Sequence, residues 1–120
     1  MKYYYKLVKK TDDRLISCIM WDTLSSHTYE VGEWTYRRKS EERRGKKLGP
    51  LCVFDTLEDA QSFSHLSAPL YYPIYKCRIR RSTAKAVWDN LLRRESVYFL
   101  PPGTVLADAV MLLEEVNLDD

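Results

Sequence analysis

Gly49-Pro50-Leu51-Cys52-Val53-Phe54-Asp55-Thr56-Leu57-Glu58-Asp59-Ala60-Gln61-Ser62-Phe63 is the stretch around which the rest of the chain is read. Gly49-Pro50 opens a short apolar run, Leu51 to Phe54, that suits a buried strand. Two capping registers for a following helix are then available, Asp55 with Glu58 or Thr56 with Asp59. In either, a side-chain oxygen accepts an orphan helix N–H and the acids favour the positive helix end. Leu57, Ala60 and Phe63 follow at helical spacing, and the helix is expected from Thr56 to about His65, where Ser67-Ala68-Pro69 stops it.

Upstream, Tyr3 to Lys9 is aromatic and apolar and reads as a first strand, ended by the turn-like Lys9-Lys10-Thr11-Asp12-Asp13. Leu15 to Trp21 carries apolar groups in both phases of a two-residue period and reads as a central strand covered on both sides. Gly32 marks a bend ahead of Trp34-Thr35-Tyr36. There Trp34 and Tyr36 share one strand face near a sheet edge, with core burial as their ordinary fate. Downstream, Ile74 to Arg81 alternates cleanly. Tyr75, Cys77 and Ile79 face a core and Lys76, Arg78 and Arg80 face water.

Ser82 or Thr83 can cap a second helix, with Ala84, Val87, Trp88, Leu91 and Leu92 at the spacing of an amphipathic stripe that would bury Trp88. Pro101-Pro102-Gly103 breaks the chain sharply. Thr104 to Val116 satisfies both periods. Leu106, Val110, Leu113 and Val116 suit a helix, whereas strict alternation along the same residues suits a strand. The expectation is an α+β fold: one compact domain over 1–120, a curved, mainly antiparallel sheet, two helices packed on it, and an exposed basic loop at about 37–48.

At 120 residues the chain can bury a single core without staples. Cys18, Cys52 and Cys77 form no C-x-x-C and no Cys/His pair at zinc spacing, and each lies in an apolar run where free cysteine acts as a small hydrophobe. The opening residues lack an apolar segment of signal-peptide length, and no run is fit to span a bilayer, so a cytoplasmic, non-membrane protein is expected. Net charge is +2, unevenly spread: residues 95 to 120 hold six of the 17 acids and no Lys or Arg, which leaves the other 94 residues at +8. A phosphate-bearing partner fits that asymmetry, and so does an acidic end folded on a basic body.

The basic charge concentrates in Arg37-Arg38-Lys39-Ser40-Glu41-Glu42-Arg43-Arg44-Gly45-Lys46-Lys47, seven bases against two acids with no large apolar side chain. Such a segment cannot belong to a core. It reads either as a solvated loop or as a phosphate-contacting arm. The second reading takes support from Trp34 and Tyr36 just upstream, since single-strand binders combine cationic grooves with stacking rings. The candidate nucleic-acid-binding residues are therefore Arg37, Arg38, Lys39, Arg43, Arg44, Lys46 and Lys47, with Arg78 and Arg80 on the cationic strand face.

Taken in order, Tyr29-x-Val31-Gly32-x-x-Thr35-Tyr36, Gly49 ahead of Leu51 to Phe54, a helix, and the Tyr75 to Ile79 strand resemble a group of small uncharacterised domains of phage and prophage genomes. The resemblance implies a closing strand for Thr104 to Val116. In outline the group is similar to compact ADP-ribosyltransferase-like domains, which receive NAD beside a strand and helix. The chain departs from that pattern, with no early strand His or Arg, no Ser-Thr-Ser strand and no Glu-x-Glu; Glu114-Glu115 could supply a late carboxylate.

Catalytic motifs are missing elsewhere too. His27 and His65 have no partner motif, capping accounts for Asp55, Glu58 and Asp59, and no phosphate-binding glycine loop, nucleophile elbow or zinc helix occurs. The sequence leans away from an enzyme and implies no cofactor and no metal. It favours a small non-catalytic binding or accessory protein, phage-related by resemblance, and leaves its partner open, with a nucleic acid and an acidic protein both compatible with the charge. Nucleic-acid binding and an ADP-ribosyltransferase-like, NAD-dependent enzyme are the alternatives.

Overall fold

The fold, seen in a computed structural model, is described for residues 2–11, 14–17, 28–36, 51–66, 72–83, 86–88, 94–96 and 102–117. Its elements are β1 (Tyr4–Thr11), β2 (Arg14–Ser17), β3 (Thr28–Tyr29), β4 (Trp34–Tyr36), β5 (Leu51–Phe54), α1 (Leu57–Leu66), β6 (Ile74–Arg81), β7 (Ala86–Trp88), β8 (Arg94–Ser96) and β9 (Thr104–Glu115). Every pairing among the described residues is antiparallel. β1 pairs with β5 and β6, and β9 pairs with the same two strands, so β1, β5, β9 and β6 close into a ring. Beyond the ring, β1 continues against β2, which carries β3, and β9 continues against β4.

Closure divides the side chains into an inside and an outside. Inside, Val8, Leu51, Val53, Tyr75, Cys77, Val105, Ala107, Val110 and Leu112 form one buried cluster with Tyr29 of β3. The interior is thus filled by the strands' own side chains, as small barrels require. Outside, Leu7, Phe54 and Ile74 meet Ala60 of α1 in a second cluster, joined by Leu57 and Phe63. Phe54 and Phe63 stand 5.5 Å apart, ring to ring. Both faces of β5 are covered, which explains four consecutive buried residues with no alternation.

The strand-to-helix junction takes the Thr56 register. Thr56 Oγ1 accepts the Asp59 N–H at 3.1 Å and donates to Asp59 Oδ2 at 2.9 Å. Asp55 serves otherwise: its N–H donates to the Gly103 carbonyl and its carboxylate meets Lys2 at 3.0 Å. Gly103 sits at φ +82°, and a Cβ there would run into the Asp59 side chain, so the turn after Pro102 packs against the helix start only with glycine. Gly32, at φ +87°, makes the bend between β3 and β4.

These observations correct the expected α+β class. The described residues are mostly strand, with one short helix, and the sheet is a closed barrel rather than an open curved layer. The second expected helix is replaced over its described part by β7, which pairs with β8 as a hairpin. In sequence, the strands are separated by a stretch that begins with Asp and Asn, residue types that favour turns, and Val87-Trp88 is β-prone, so the apolar stripe was compatible with helix only by spacing. Closure also leaves less free sheet for a second helix, since the inner face is already filled. Leu15 and Ile16 of β2 are half-buried rather than covered on both sides, and residues 18–21 of that expected strand lie outside the described residues, as does the basic loop at 37–48.

Thr104 to Glu115 forms a single long strand, and its irregular pairing explains the ambiguous period. Against β6, Arg80 faces Ala109 but Arg81 faces Ala107, and Lys76 faces Glu114 but Cys77 faces Leu112. Asp108 and Leu113 are the extra residues of two bulges. The first inverts the phase, so Val105 and Ala107 point inward before it and Val110 and Leu112 after it. A straight strand cannot bury both sets on one side.

Candidate nucleic-acid interface

The cationic face is built on β6. Ile74, Lys76, Arg78 and Arg80 point away from the barrel interior; Ile74 is covered in the cluster with α1, and Arg78 and Arg80 are exposed. Residues directly opposite in antiparallel strands share a face. Register therefore aligns two rows across β4, β9 and β6: Trp34, Met111 and Arg78, then Tyr36, Ala109 and Arg80.

The rows are linked diagonally. The Arg80 guanidinium lies 4.8 Å from the centre of the Trp34 ring, although β9 separates their strands. Ala109 permits this, because a methyl group opposite Arg80 lets the longer side chain lean across β9, and Ala109 is fully buried. Tyr36, in contrast, is 55% exposed, and no cation covers it among the described residues. At the other end of the cationic row, Lys76 Nζ sits 4.1 Å over the Tyr3 ring and 3.8 Å from Glu114. Lys76 is thus partly neutralised, whereas Arg78 has no ion-pair partner among the described residues. In the turn ahead of β4, a hydrogen bond and the mutual repulsion of the Glu30 and Glu33 carboxylates raise the Glu33 pKa.

A second polar group lies inside the barrel. Lys6 is fully buried, in the same strand phase as Tyr4 and Val8 and opposite Tyr75. Its ammonium donates to the Cys52 carbonyl at 2.8 Å and stands 5.5 Å from the centre of the Tyr29 ring. The local cause is the seam. β1 and β5 share only the Tyr5/Phe54 pair before β1 passes to β2, and the lysine bonds a β5 carbonyl just where that ladder ends. Nearby, burial pushes the Cys77 thiol up to about 12, with the Lys6 charge pulling the other way. Burial, then the Glu115 carboxylate, raises Tyr75. Cys52 and Cys77 are free and buried, as small hydrophobes are, and the protonated Cys77 thiol is a poor nucleophile.

Of the residues proposed from sequence, Arg78 and Arg80 come together on the described face, while Arg37, Arg38, Lys39, Arg43, Arg44, Lys46 and Lys47 lie outside the described residues, together with Cys18 and His27. Trp34 and Tyr36 need correction: they are not core residues but half-buried and exposed parts of the cationic face. The edge position of β4 is the reason, since only one flank of that strand is paired in the described sheet. Sequence reading missed Lys6. Its signal was a cation in phase with Tyr4 and Val8 and placed between them, in the apolar part of the strand ahead of Lys9 and Lys10. Among the described residues no group of three or more His, Cys, Asp or Glu could hold a metal ion, and no helix is long and apolar enough to cross a membrane. No protein-family model, curated protein or solved structure matches the chain, so the geometry of this face stands by itself.

Proposed function

We propose that the protein is a non-catalytic binding module for nucleic acid, acting through the outer face of β4, β9 and β6. The carrying observation is the combination on one face of the Arg80/Trp34 stack, the exposed Tyr36 and the Arg78 side chain, which has no ion-pair partner among the described residues. Cations held beside aromatic rings are the components with which proteins track a phosphate backbone and its bases. The filled interior supports the same reading, because a ligand then meets the barrel from outside. In sequence, the basic run from Arg37 follows Tyr36 directly, which adds positive charge next to β4 along the chain.

The test is fluorescence anisotropy with a labelled oligonucleotide at low salt, comparing the native protein with an Arg78→Ser, Arg80→Ser variant. The variant is expected to bind about tenfold more weakly, with its salt dependence flattened by about 0.7 for each phosphate it fails to neutralise. Native binding no tighter than about 10⁻⁴ M at low salt would sink the proposal, as even non-specific cationic binders do better. Release of nicotinamide from NAD by the native protein would instead move the reading to the ADP-ribosyltransferase-like alternative.

A further inference from the structure

Resting on that reading, we infer that the ligand is a single strand, with Tyr36 as the platform on which a base stacks and Arg78 as the principal phosphate contact. The assignment follows from how the three aromatic rings of the face are used. Tyr3 already carries the Lys76 ammonium and Trp34 the Arg80 guanidinium. These pairs hold two cations in place before any ligand arrives, so less side-chain freedom is lost on binding. Tyr36 carries no such cation among the described residues and leaves over half its surface in water.

Spacing separates the two roles. Lys76, Arg78 and Arg80 recur along β6 at two-residue intervals, about 7 Å apart on one line. Tyr36 stands on β4 with β9 intervening, about 10 Å to the side of that line. A backbone following the cations therefore has its bases projected towards β4, where the exposed ring lies. A duplex keeps its bases stacked internally and offers Tyr36 no ring face. An acidic protein would meet the cations but make no use of a flat, exposed phenol. Of the two ends of the cationic row, the Arg78/Arg80 end is the stronger for an anion, since Glu114 competes for Lys76.

Labelled oligothymidylate, a blunt duplex of equal length and inorganic polyphosphate, compared at one salt concentration, test the inference with Tyr36→Ala, Tyr36→Phe and Arg78→Ser variants. Oligothymidylate is expected to bind at least about tenfold tighter than the duplex. Tyr36→Ala should weaken that binding by about tenfold while leaving the salt slope unchanged, and Tyr36→Phe should restore it. Arg78→Ser should lower the slope by about 0.7 instead. Equal affinity for duplex and single strand, equal competition by polyphosphate, or a silent Tyr36→Ala overturns the single-strand inference. The broader nucleic-acid reading then survives if Arg78→Ser, Arg80→Ser still weakens binding. If none of the three polyanions binds, both fail together. Far-ultraviolet circular dichroism and melting curves that match the native protein keep each variant interpretable, because Tyr36 and Arg78 are exposed and their loss leaves the core intact.

Discussion

Lys6 and Arg80 are cations on neighbouring strands of one barrel, and each lies beside an aromatic ring. Lys6 is fully buried, hydrogen-bonded to the Cys52 carbonyl and 5.5 Å from the Tyr29 ring; Arg80 is exposed and 4.8 Å from the Trp34 ring. What separates them is strand phase. Once β1, β5, β9 and β6 close, one phase of every strand points into an interior filled by apolar side chains, which do not solvate an ion. An inward cation must then be bonded by the protein, and Lys6 is held at the one seam of the ring where the backbone ladder is shortest. Outward cations meet no such demand, so their partners are loose and their charge remains available to a ligand.

The contrast is sharpest at Lys6 itself. Lys6→Ala is expected to cost about 3 kcal/mol in urea unfolding, because it deletes a buried stem and leaves the Cys52 carbonyl without its ammonium donor. Lys6→Met, which keeps the stem and removes the charge, should cost only about 1 kcal/mol or less, since loss of the hydrogen bond is offset by loss of a desolvated ion. If both substitutions are silent, the ammonium is not inside and the comparison collapses. If Met is as damaging as Ala, the bond rather than the packing holds the seam.

Titration probes the same interior. The Cys77 thiol stands at about 12 in the folded protein against an ordinary 9.0. A raised acid pKa means that the unfolded chain releases its proton first, so the contribution is intact below pH 9 and is lost as pH rises towards 12. Within that window stability should fall by about 1.4 kcal/mol per pH unit from this group. Tyr75 adds to the fall in the same direction above its ordinary 10.0. Cys77→Val should flatten the alkaline limb of a urea-midpoint profile. An equally steep limb in the variant would mean that other groups carry it.

Local signals were legible in the sequence and long-range ones were not. The Thr56/Asp59 cap, the Gly32 bend, the stop at Gly103 and the alternation of Tyr75, Cys77 and Ile79 against Lys76, Arg78 and Arg80 each depend on residues a few positions apart. Closure instead depends on β1 finding β6 and on β5 finding β9, pairings that span much of the chain and leave no periodic mark. The bulges at Asp108 and Leu113 erased the strand period of β9, and a helical spacing hid the β7 strand. On the candidate face, Arg78 and Arg80 could be named from alternation. Their meeting with Trp34 and Tyr36 could not, since it is set by the register of β4 and β6 on opposite flanks of β9.

The smallest expected effects belong to the outside, and they separate its two arginines. Arg78→Ser should change unfolding stability by less than about 0.5 kcal/mol, because an exposed cation without an ion-pair partner among the described residues contributes little to the folded state. Arg80→Ser should cost about 0.5 to 1 kcal/mol, the usual worth of a guanidinium over an indole ring at an exposed site. Arg80→Lys distinguishes charge from shape: it keeps the cation but lacks the planar group that stacks on Trp34, so it should lose part of that increment while leaving the salt dependence of oligonucleotide binding unchanged. A stability loss above about 2 kcal/mol at either arginine would place that side chain in the structural framework, and the distinction between a bonded interior cation and available exterior ones would no longer hold.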